Sequence, residues 1–240
     1  MTTQTTKHSP DPEIIRTMFS KVAKNYDKGN SVLSVGIHHL WRSKLVRLSK
    51  AHAGQKVLDC ATGTGDLAIA FKKAVGTPGE VIGTDFCAEM LEYAPAKAAQ
   101  EHLDIKFEQA DVTQLQYQDK QFDIVSISFG IRNVNNPVKA LQEMARVTKP
   151  GGRVMVLEFG QMQIPLIGGA YKFYSEKILP ILGGWVTGQK DAYEYLQKSS
   201  AAFPCREGFL DLMKQAGSFS DMKYVPVSLG IAYIYIGTVK

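Results

Sequence analysis

The sequence KVLDCATGTGD at Lys56–Asp66 combines a short apolar run, an acid and two glycines one residue apart. The apolar run predicts the end of a buried parallel strand, and a helix is predicted to follow at Leu67–Ala74. Gly63 and Gly65 supply the left-handed or closely packed backbone that a sharp strand-to-helix turn needs. Because the first N–H groups of a helix have no intrahelical acceptors, such a turn is typical of a site for part of a nucleotide.

Two further predicted strands lead into acidic residues. The apolar runs Glu80–Thr84 and Ile105–Gln109 predict these strands. Asp85 follows the first run, and Asp111 comes shortly after the second. With Asp59, three carboxylates therefore lie at the carboxyl ends of neighbouring strands, the edge where ligands bind in open α/β sheets. Asp85 is well placed for a ribose, because a carboxylate accepts hydrogen bonds from two adjacent hydroxyls.

Two cofactor classes fit the glycine turn. A dinucleotide site has the pattern G-x-G-x-x-G/A, which Gly63, Gly65 and Ala68 satisfy. A site for S-adenosylmethionine also places acids after the first and third strands, where Asp59 and Asp111 lie, and the dinucleotide pattern leaves these two unexplained. We favour the methyl donor, and a nicotinamide-dependent oxidoreductase is the alternative.

The remaining elements predict a complete α/β sheet. After the third strand, strands and helices alternate again, with a strand at Phe122–Ser128, a helix at Pro137–Thr148, a turn at Lys149–Gly152 and a strand at Arg153–Glu158. An amphipathic helix at Arg206–Ala216 follows, and a pair of strands at Lys223–Val227 and Ala232–Val239 closes the sheet. Five parallel strands and a final antiparallel hairpin predict a Rossmann-like, seven-stranded α/β sheet of the S-adenosylmethionine-dependent methyltransferase type with an N-terminal helical cap.

The N-terminal region is expected to form this cap. Residues 1–10 are predicted to be a disordered tail, 11–50 the helical cap, and 51–240 the methyltransferase core. The cap begins with a predicted amphipathic helix at Glu13–Lys24. Asn25–Arg42 follows and is dense in polar and aromatic residues.

Two interpretations of this polar and aromatic stretch remain open. In one, it is a helix and loop with a small core of its own. In the other, it is a lid over the open side of the cofactor that supplies Tyr26, His38 and Trp41 to a substrate pocket.

Composition and charge place the chain among ordinary globular proteins. It has 240 residues, 45% of them hydrophobic and 21% charged, and a net charge of +5. The basic balance favours contact with anionic surfaces, but the cations are spread along the chain. Cys60, Cys87 and Cys205 are far apart, which argues against a disulfide framework or a metal site and favours a reducing cytoplasm. The polar N-terminus predicts no signal peptide, and no apolar run is long enough to span a bilayer.

Several longer motifs resemble one family. They are Tyr26-Asp27, Asn30, Leu33-Ser34, Gly36, His38, Trp41-Arg42, Ser126 to Val134 (SISFGIRNV), Arg146-Val147, Lys149 to Arg153 (KPGGR), Leu157 to Phe159, Asp191 to Tyr193, Tyr195-Leu196, Ser199, Phe203-Pro204 and Gly230 to Ala232. Together they cover nearly the whole chain from Phe19 onward. In these motifs the chain resembles the ubiquinone/menaquinone biosynthesis C-methyltransferases.

This resemblance implies methyl transfer to a ring carbon of a polyprenylated benzoquinol or naphthoquinol. Because carbon is a poor nucleophile, the ring must gain electron density, most simply by ionisation of a neighbouring hydroxyl. We expect Arg132 to stabilise the resulting phenolate and Asn133 to orient the substrate or a water. His38 is the best candidate for the general base. Tyr26 is expected to act as an aromatic wall or a hydroxyl donor.

The resemblance also implies how the cofactor is held. Thr64 is expected at the methionine end of S-adenosylmethionine, Asp85 at the ribose hydroxyls, and Asp111-Val112 at the adenine. Ser128 is expected beneath the donor, and Gly63 and Gly65 allow close approach of the backbone. Asp59 is expected to orient the turn. No metal is expected.

The remaining expectations concern partners and location. Residues 163–200 are predicted to form a substrate- and membrane-facing insertion, whose apolar part, 163–186, would accept a prenyl tail and contact the bilayer. We expect a cytoplasmic protein in transient, peripheral contact with the inner face of the cell membrane. Nucleic acid is not expected as a substrate, because no Asn- or Asp-Pro-Pro-aromatic run follows the fourth strand. The oligomeric state, including a homodimer, stays open.

Overall fold

The computed structural model describes residues 10–34, 36–161 and 188–240, which contain a seven-stranded sheet. The strands are β1 Lys56–Cys60, β2 Glu80–Asp85, β3 Lys106–Gln109, β4 Phe122–Ser128, β5 Thr148–Phe159, β6 Phe219–Val227 and β7 Ala232–Val239. Their order is β3-β2-β1-β4-β5-β7-β6. The first five strands are mutually parallel, and β7 runs antiparallel to both β5 and β6.

The strand order reverses between β1 and β4, and this reversal positions the site. From β1 the chain proceeds to β2 and β3 on one side of the sheet, and then crosses to β4 on the other side. The connections leave a crevice outside the carboxyl ends of the two central strands, which is where ligands bind in this kind of sheet. The loops after Cys60 and Ser128 therefore border the same space.

Helices cover both faces of the sheet, and those of the N-terminal segment lie over the carboxyl ends of its central strands. They are α1 Pro12–Val22, α2 Tyr26–Leu33, α3 Ile37–Ser49, α4 Asp66–Val75, α5 Ala88–Leu91, α6 Ala94–Gln100, α7 Pro137–Val147, α8 Lys190–Ala202 and α9 Glu207–Ala216. α1 begins where the Asp11 side chain accepts a hydrogen bond from the Glu13 N–H, with Pro12 in the first turn. None of the described helices has the length and apolar character needed to cross a bilayer.

The core lies on the two faces of the sheet. One cluster packs α7 and α9 against the sheet through side chains such as Leu141 and Phe209. The other packs α3 and α4 on the opposite face through Leu45 and Phe71. All four side chains are fully buried. The sheet therefore forms a rigid layer from which the loops of the site extend.

The predicted fold class is confirmed, with local differences at three positions. The first predicted helix ends at Val22 and continues as a 3₁₀ turn to Asn25. The turn predicted at Lys149–Gly152 lies inside β5, where the pairing register with β4 shifts and four residues bulge out. β6 begins at Phe219, earlier than predicted, because its first residues pair with the end of β7. Residues 1–9 of the predicted tail and the apolar part of the predicted insertion, 163–186, lie outside the described residues.

Candidate functional site

The glycine turn between β1 and α4 takes its shape from two left-handed glycines. Gly63 and Gly65 have φ values of 58° and 88°. A side chain at Gly65 would meet the Phe107 ring and Ala94 Cβ at 3.1 Å, so this glycine packs against the core. Gly63, in contrast, borders the crevice. The two glycines therefore have different functions: one packs the turn onto the protein, and the other allows a ligand to approach the backbone.

A buried carboxylate holds the turn from below. Asp59 is 1% exposed and accepts hydrogen bonds from the Thr62 hydroxyl at 2.7 Å and from the Ser126 hydroxyl at 2.6 Å. Burial raises the pKa of Asp59 to about 6. This side chain links β1, the turn and β4, as expected for a residue that orients the turn.

The first cavity is an open cleft at the carboxyl ends of β1, β2 and β4, with about 870 Å³ of space that includes open solvent. Its lining includes Ala61, Gly63, Asp85, Phe86, Asp111, Val112, Ser128 and Asn133 from the core, and Pro12, Ile15, Arg16, Phe19 and Tyr26 from the N-terminal helices. The cap therefore covers one side of this cleft. We call it the cofactor cleft.

Asp85 is fixed at the end of β2 by backbone donors. Its carboxylate accepts hydrogen bonds from the Gly63 N–H at 2.8 Å and from the Cys87 N–H at 2.9 Å. Burial nevertheless raises the pKa of Asp85 to about 6. Each carboxylate oxygen has a second lone pair, so this group can still accept from two adjacent hydroxyls.

Ser128 lines the same cleft and carries an unsatisfied polar atom. Its hydroxyl is buried and has no hydrogen-bond partner among the described residues. A buried hydroxyl without a partner costs free energy, which a polar ligand in the cleft would recover. Asp111 and Val112 line the far side of the cleft, where Asp111 Oδ1 accepts from the Thr113 N–H at 2.8 Å.

A second, open cavity lies beside the first, with about 1360 Å³ of space that includes open solvent. Its described lining comes from α1 to α3, the loop after β4, the end of β5 and α8, and comprises Met18, Phe19, Val22, Tyr26, Asn30, Ser34, Ile37, His38, Trp41, Arg42, Phe129, Arg132, Phe159, Ala192, Tyr193, Tyr195, Leu196 and Ile231. Most of these side chains are aromatic or aliphatic. We call this space the substrate cavity.

Three aromatic side chains border both cavities. Phe19, Tyr26 and Phe129 line the cofactor cleft and the substrate cavity alike. Phe129 has a left-handed φ of 57°, which costs a non-glycine residue free energy and places its ring against Phe159 with centroids 4.5 Å apart. Burial raises the pKa of Tyr26, so its phenol stays protonated. These three rings therefore form a boundary that the two cavities share.

Arg132 enters the substrate cavity as part of a buried ion pair. It is 5% exposed, and its Nη1 donates to Glu158 Oε1 at 2.8 Å and to the Phe129 carbonyl at 2.5 Å. Its Nε–H is buried and has no acceptor among the described residues. The guanidinium also lies 5.5 Å from the centre of the Phe159 ring. Glu158 thus fixes one side of the guanidinium and leaves a donor unused.

His38 lines the same cavity and is held by α2. Its Nδ1 lies 2.5 Å from the Ser34 hydroxyl, which donates its own proton to the Asn30 carbonyl at 2.6 Å. Because Ser34 has a single proton, this arrangement assigns the imidazole proton to Nδ1 and leaves Nε2 as an acceptor. Burial and the Arg42 charge lower the pKa of His38 to about 4, so the ring is neutral at pH 7.

An ion network joins the cap to the glycine turn. Lys97 Nζ donates to Asp27 Oδ2 at 2.7 Å and to Asp66 Oδ1 at 2.5 Å. Asp66 also accepts from Arg42 Nη1 at 2.8 Å. The Thr64 hydroxyl donates to Asp27 at 2.5 Å. Through these contacts α2 and α3 are attached to the loop that forms the cofactor cleft.

Loss of this network should destabilise the protein measurably. In Lys97→Met, the carboxylates Asp27 and Asp66 lose a partly buried partner that is 27% exposed. We expect the free energy of unfolding to fall by about 1–2 kcal/mol in urea titrations. Lys73→Met is the matched control, because its pair with Glu101 is exposed and should contribute less than about 1 kcal/mol. Equal effects of the two substitutions would contradict a stabilising role for the network.

The structure brings most of the predicted site residues to these two cavities. Gly63, Asp85, Asp111, Val112, Ser128 and Asn133 border the cofactor cleft, and His38 and Arg132 border the substrate cavity, while Tyr26 borders both. Two residues are placed elsewhere. Gly65 packs on Phe107, and the hydroxyl of Thr64 is bonded to Asp27. The predicted contact of Thr64 with the methionine end stays a prediction.

Sequence reasoning missed the partners that hold these groups in place. Glu158, Asp27 and Lys97 were not proposed as site residues, and Tyr195 donates to Asn133 Oδ1 at 3.2 Å across the boundary between the cavities. Glu158 ends a predicted strand, and Asp27 directly follows Tyr26, but neither position alone indicates a partner distant in sequence. The left-handed Phe129 had no sequence signal, since aromatic residues rarely adopt this conformation.

Comparison with known proteins gives a consistent assignment. A model of the ubiE/COQ5 methyltransferase family matches residues 4–239. The ubiquinone/menaquinone biosynthesis C-methyltransferase UbiE of Bdellovibrio bacteriovorus is 74% identical over 97% of this chain and 99% of that protein. The demethylmenaquinone methyltransferase of Thermus thermophilus is 42% identical over 92% of this chain and 99% of that protein.

Solved structures share the fold at low sequence identity. A SAM-dependent methyltransferase from Aquifex aeolicus has a TM-score of 0.61 and 16% identity, and the match covers 96% of this chain and 99% of that chain. The cyclase SpnF has a TM-score of 0.63 and 15% identity, and the match covers 97% of each chain. Since one of these two neighbours is named as a methyltransferase and the other as a cyclase, the fold alone does not fix the reaction.

Proposed function

The chain belongs to the ubiE/COQ5 methyltransferase family, and from this premise we propose that it methylates a ring carbon of a polyprenylated quinol in quinone biosynthesis. S-adenosylmethionine is the cofactor of the family, and the nicotinamide-dependent alternative has no support. The observation that carries the proposal is the pair of adjoining cavities that share Phe19, Tyr26 and Phe129. One cavity has the polar groups for the donor, and the other has the apolar volume for the acceptor.

The residues of the cofactor cleft fit S-adenosylmethionine. When bound, this group supplies a methyl carbon made electrophilic by the attached sulfonium. We assign Asp85 to the ribose hydroxyls and Asp111-Val112 to the adenine, and the unpartnered hydroxyl of Ser128 supports a polar ligand between them. Gly63 and Thr64 are assigned to the methionine end. The cap helix α1 excludes water from one side of the cleft through Ile15 and Phe19.

Arg132 is proposed to stabilise the ionised ring of the acceptor. Ionisation of a hydroxyl increases electron density on the neighbouring carbon, and the charge that develops needs a fixed donor. Arg132 is held by Glu158 and keeps its Nε–H free of acceptors within the described residues. A donor that is already oriented needs no rearrangement as the charge forms. Asn133 faces the cofactor cleft and is assigned to orienting the ring or a water.

His38 is proposed to accept the proton from that hydroxyl. The Ser34 hydroxyl holds Nδ1, and Nε2 is the remaining acceptor. Since burial lowers the pKa of His38 to about 4, the ring is neutral at pH 7 and has an acceptor for the proton, but it is a weaker base than an ordinary histidine. The Arg42 side chain, which also lines the cavity, disfavours a lasting positive charge on the imidazole.

The shape of the substrate cavity supports an acceptor with a long apolar tail. Polar groups are few, and the aliphatic side chains Met18, Val22, Leu196 and Ile231 leave space for isoprene units. Because such a tail resides in a bilayer, we propose transient, peripheral contact with the membrane. The benzoquinol and the naphthoquinol acceptor are both compatible with this lining.

A direct assay tests the proposed function. Purified protein is incubated with S-adenosylmethionine carrying a labelled methyl group and either demethylmenaquinol or the demethylated ubiquinol precursor. We expect labelled product from at least one quinol. Calorimetric titration should show binding of S-adenosylmethionine and none of NAD(H). Absence of label in both quinols, with cofactor binding intact, would refute the proposed acceptor class.

The lowered pKa of His38 predicts a specific pH dependence of stability. The unfolded histidine binds a proton near pH 6.5, and the folded one does so only near 4. Between these values the unfolded state binds more protons, so the His38 contribution lowers stability as the pH falls from 6.5 to 4. The free energy of unfolding is measured in urea for the wild type and for His38→Gln at pH 7 and at pH 5. Relative to the wild type, the variant should be more stable at pH 5 than it is at pH 7. His52→Gln, at an exposed position, is the control.

A further inference from the structure

The chain contains a stretch with cations and no acids. Residues 28–58 include Lys28, Arg42, Lys44, Arg47, Lys50 and Lys56, and they contain no Asp or Glu. Most of this stretch forms α3 and the segments next to it. Arg42 pairs with Asp66 and Lys56 pairs with Glu80, so the cations of this stretch with no acidic partner among the described residues are Lys28, Lys44, Arg47 and Lys50. Such a segment favours an anionic partner.

α3 and the turn Ser228–Gly230 each carry an exposed apolar side chain. Leu40 is 69% exposed and Leu229 is 65% exposed. The segments that carry them are in contact, because Trp41 Nε1 donates to Ser228 Oγ at 2.8 Å and Lys44 Nζ donates to the Pro226 carbonyl at 3.2 Å. Leu40 and Leu229 are each the direct neighbour of one of these bonded residues, so they flank the same contact.

Cations and apolar groups share one stripe of α3. Leu40, Lys44 and Arg47 are spaced by four and three residues, which places them on one side of a helix. Ile37 precedes Leu40 by one turn, is 39% exposed and lines the substrate cavity, as does Ile231 beyond Leu229. The stripe therefore adjoins the lining of the substrate cavity.

We propose that this α3 face, made of Ile37, Leu40, Lys44, Arg47 and Leu229, docks on an anionic lipid bilayer. The proposal rests on the proposed function, because a polyprenylated acceptor has to enter the substrate cavity from a membrane. Apolar side chains at a helix surface insert at the boundary between headgroups and acyl chains, while neighbouring cations attract anionic headgroups. A second copy of the chain is a poorer occupant, since two such faces would bring like charges together.

Vesicle sedimentation tests this surface. The wild-type protein is mixed with vesicles of phosphatidylcholine alone or with a third of phosphatidylglycerol, in 0.1 and 0.5 M NaCl. We expect binding to the anionic vesicles that weakens at the higher salt. The double variant Leu40→Ser/Leu229→Ser should reduce the partition coefficient by about tenfold or more. The control Ile14→Ser/Tyr93→Ser changes two other exposed side chains, of 66% and 38% exposure, and should bind like the wild type.

A second measurement separates this proposal from the proposed function. Methyl transfer to a quinol without a prenyl tail should be equal in the wild type and in Leu40→Ser/Leu229→Ser. If that activity persists but the variant sediments with vesicles like the wild type, the α3 face is not the docking surface. If vesicle binding depends on the face but no quinol is methylated, the proposed function fails. A shift to monomer in sedimentation velocity, without loss of vesicle binding, would show that a second copy covers the face.

Discussion

Arg132→Lys should lower kcat for quinol methylation by about 100- to 1000-fold, with the affinity for S-adenosylmethionine unchanged. The substitution keeps a positive charge beside Glu158, so the buried carboxylate retains a cation. It removes the planar guanidinium, whose Nη1 is bonded to Glu158 and Phe129 and whose Nε–H is unused among the described residues. Loss of one preoriented donor to a developing oxyanion costs about 2.7–4 kcal/mol in comparable sites. Lysine carries a compact charge and cannot hold hydrogen-bond donors in several fixed directions, as the planar guanidinium of arginine does.

The experiment uses lysine at position 132 and, as a control, the same substitution at an arginine outside the site. Arg132→Met would leave Glu158 charged and unpaired inside the protein, at a cost of about 3–5 kcal/mol in stability. A loss of activity in that variant could then come from unfolding and not from the loss of a catalytic contact. Arg153→Lys is the control, because Arg153 lies on β5, donates to the Leu48 carbonyl at 2.9 Å and borders neither cavity. Initial rates should fall in the first variant and stay near wild type in the second. A normal kcat in Arg132→Lys would exclude the proposed stabilising contact.

The parts of the site that are local in sequence were predictable. The glycine turn, Asp85 and Ser128 each follow directly from a strand whose apolar pattern is clear, and the parallel arrangement brings strand ends to one edge. The pattern of apolar residues along the strands and the order of the strands are therefore sufficient to locate the cofactor cleft. The same reasoning placed Asp59 under the turn, because a residue at the end of a central strand is buried by its neighbours.

The partners that position these groups were not predictable, because they come from distant segments. Lys97 reaches Asp27 across 70 positions in the chain, and Arg132 reaches Glu158 across 26. Nothing in the local pattern around Lys97 distinguishes it from the solvated lysines elsewhere on the surface. The bulge at 149–152 was similarly misassigned to a turn, since Pro150, Gly151 and Gly152 have the composition of a turn whether or not the flanking residues pair.

Tyr26 shows how the cap and the core depend on each other. It borders both cavities, and its neighbour Asp27 is held by Lys97 and Thr64. The position of the wall between donor and acceptor is thus set by an ion network that includes the glycine turn. The shape of the cofactor cleft and the shape of the substrate cavity therefore depend on the same few side chains. The lid interpretation of Asn25–Arg42 stays a prediction.

Asp85→Asn should weaken the binding of S-adenosylmethionine by about 100-fold at pH 7.5. The carboxylate accepts from the Gly63 and Cys87 N–H groups and has lone pairs left for two ribose hydroxyls. Hydrogen bonds to a charged group contribute about 1.5–3 kcal/mol each. In the variant, an amide NH2 group replaces one carboxylate oxygen, so a donor faces a backbone N–H that has lost its acceptor. Calorimetric titration measures the loss. Asp123→Asn is the control, since Asp123 binds Lys149 and the Lys56 N–H at the opposite end of the sheet.

The raised pKa of Asp85 adds a pH test that separates this residue from its neighbour. Because burial raises its pKa to about 6, the group becomes protonated as the pH falls below 6 and loses acceptor capacity, so wild-type affinity should decline between pH 7 and pH 5. Asp59 has a similarly raised pKa but borders neither cavity. If Asp85 is responsible, Asp85→Asn abolishes the decline, because an amide does not titrate. If the decline persists in the variant, protonation of Asp59 beneath the turn is its cause, and the assignment of the ribose to Asp85 must then rest on the loss of affinity alone.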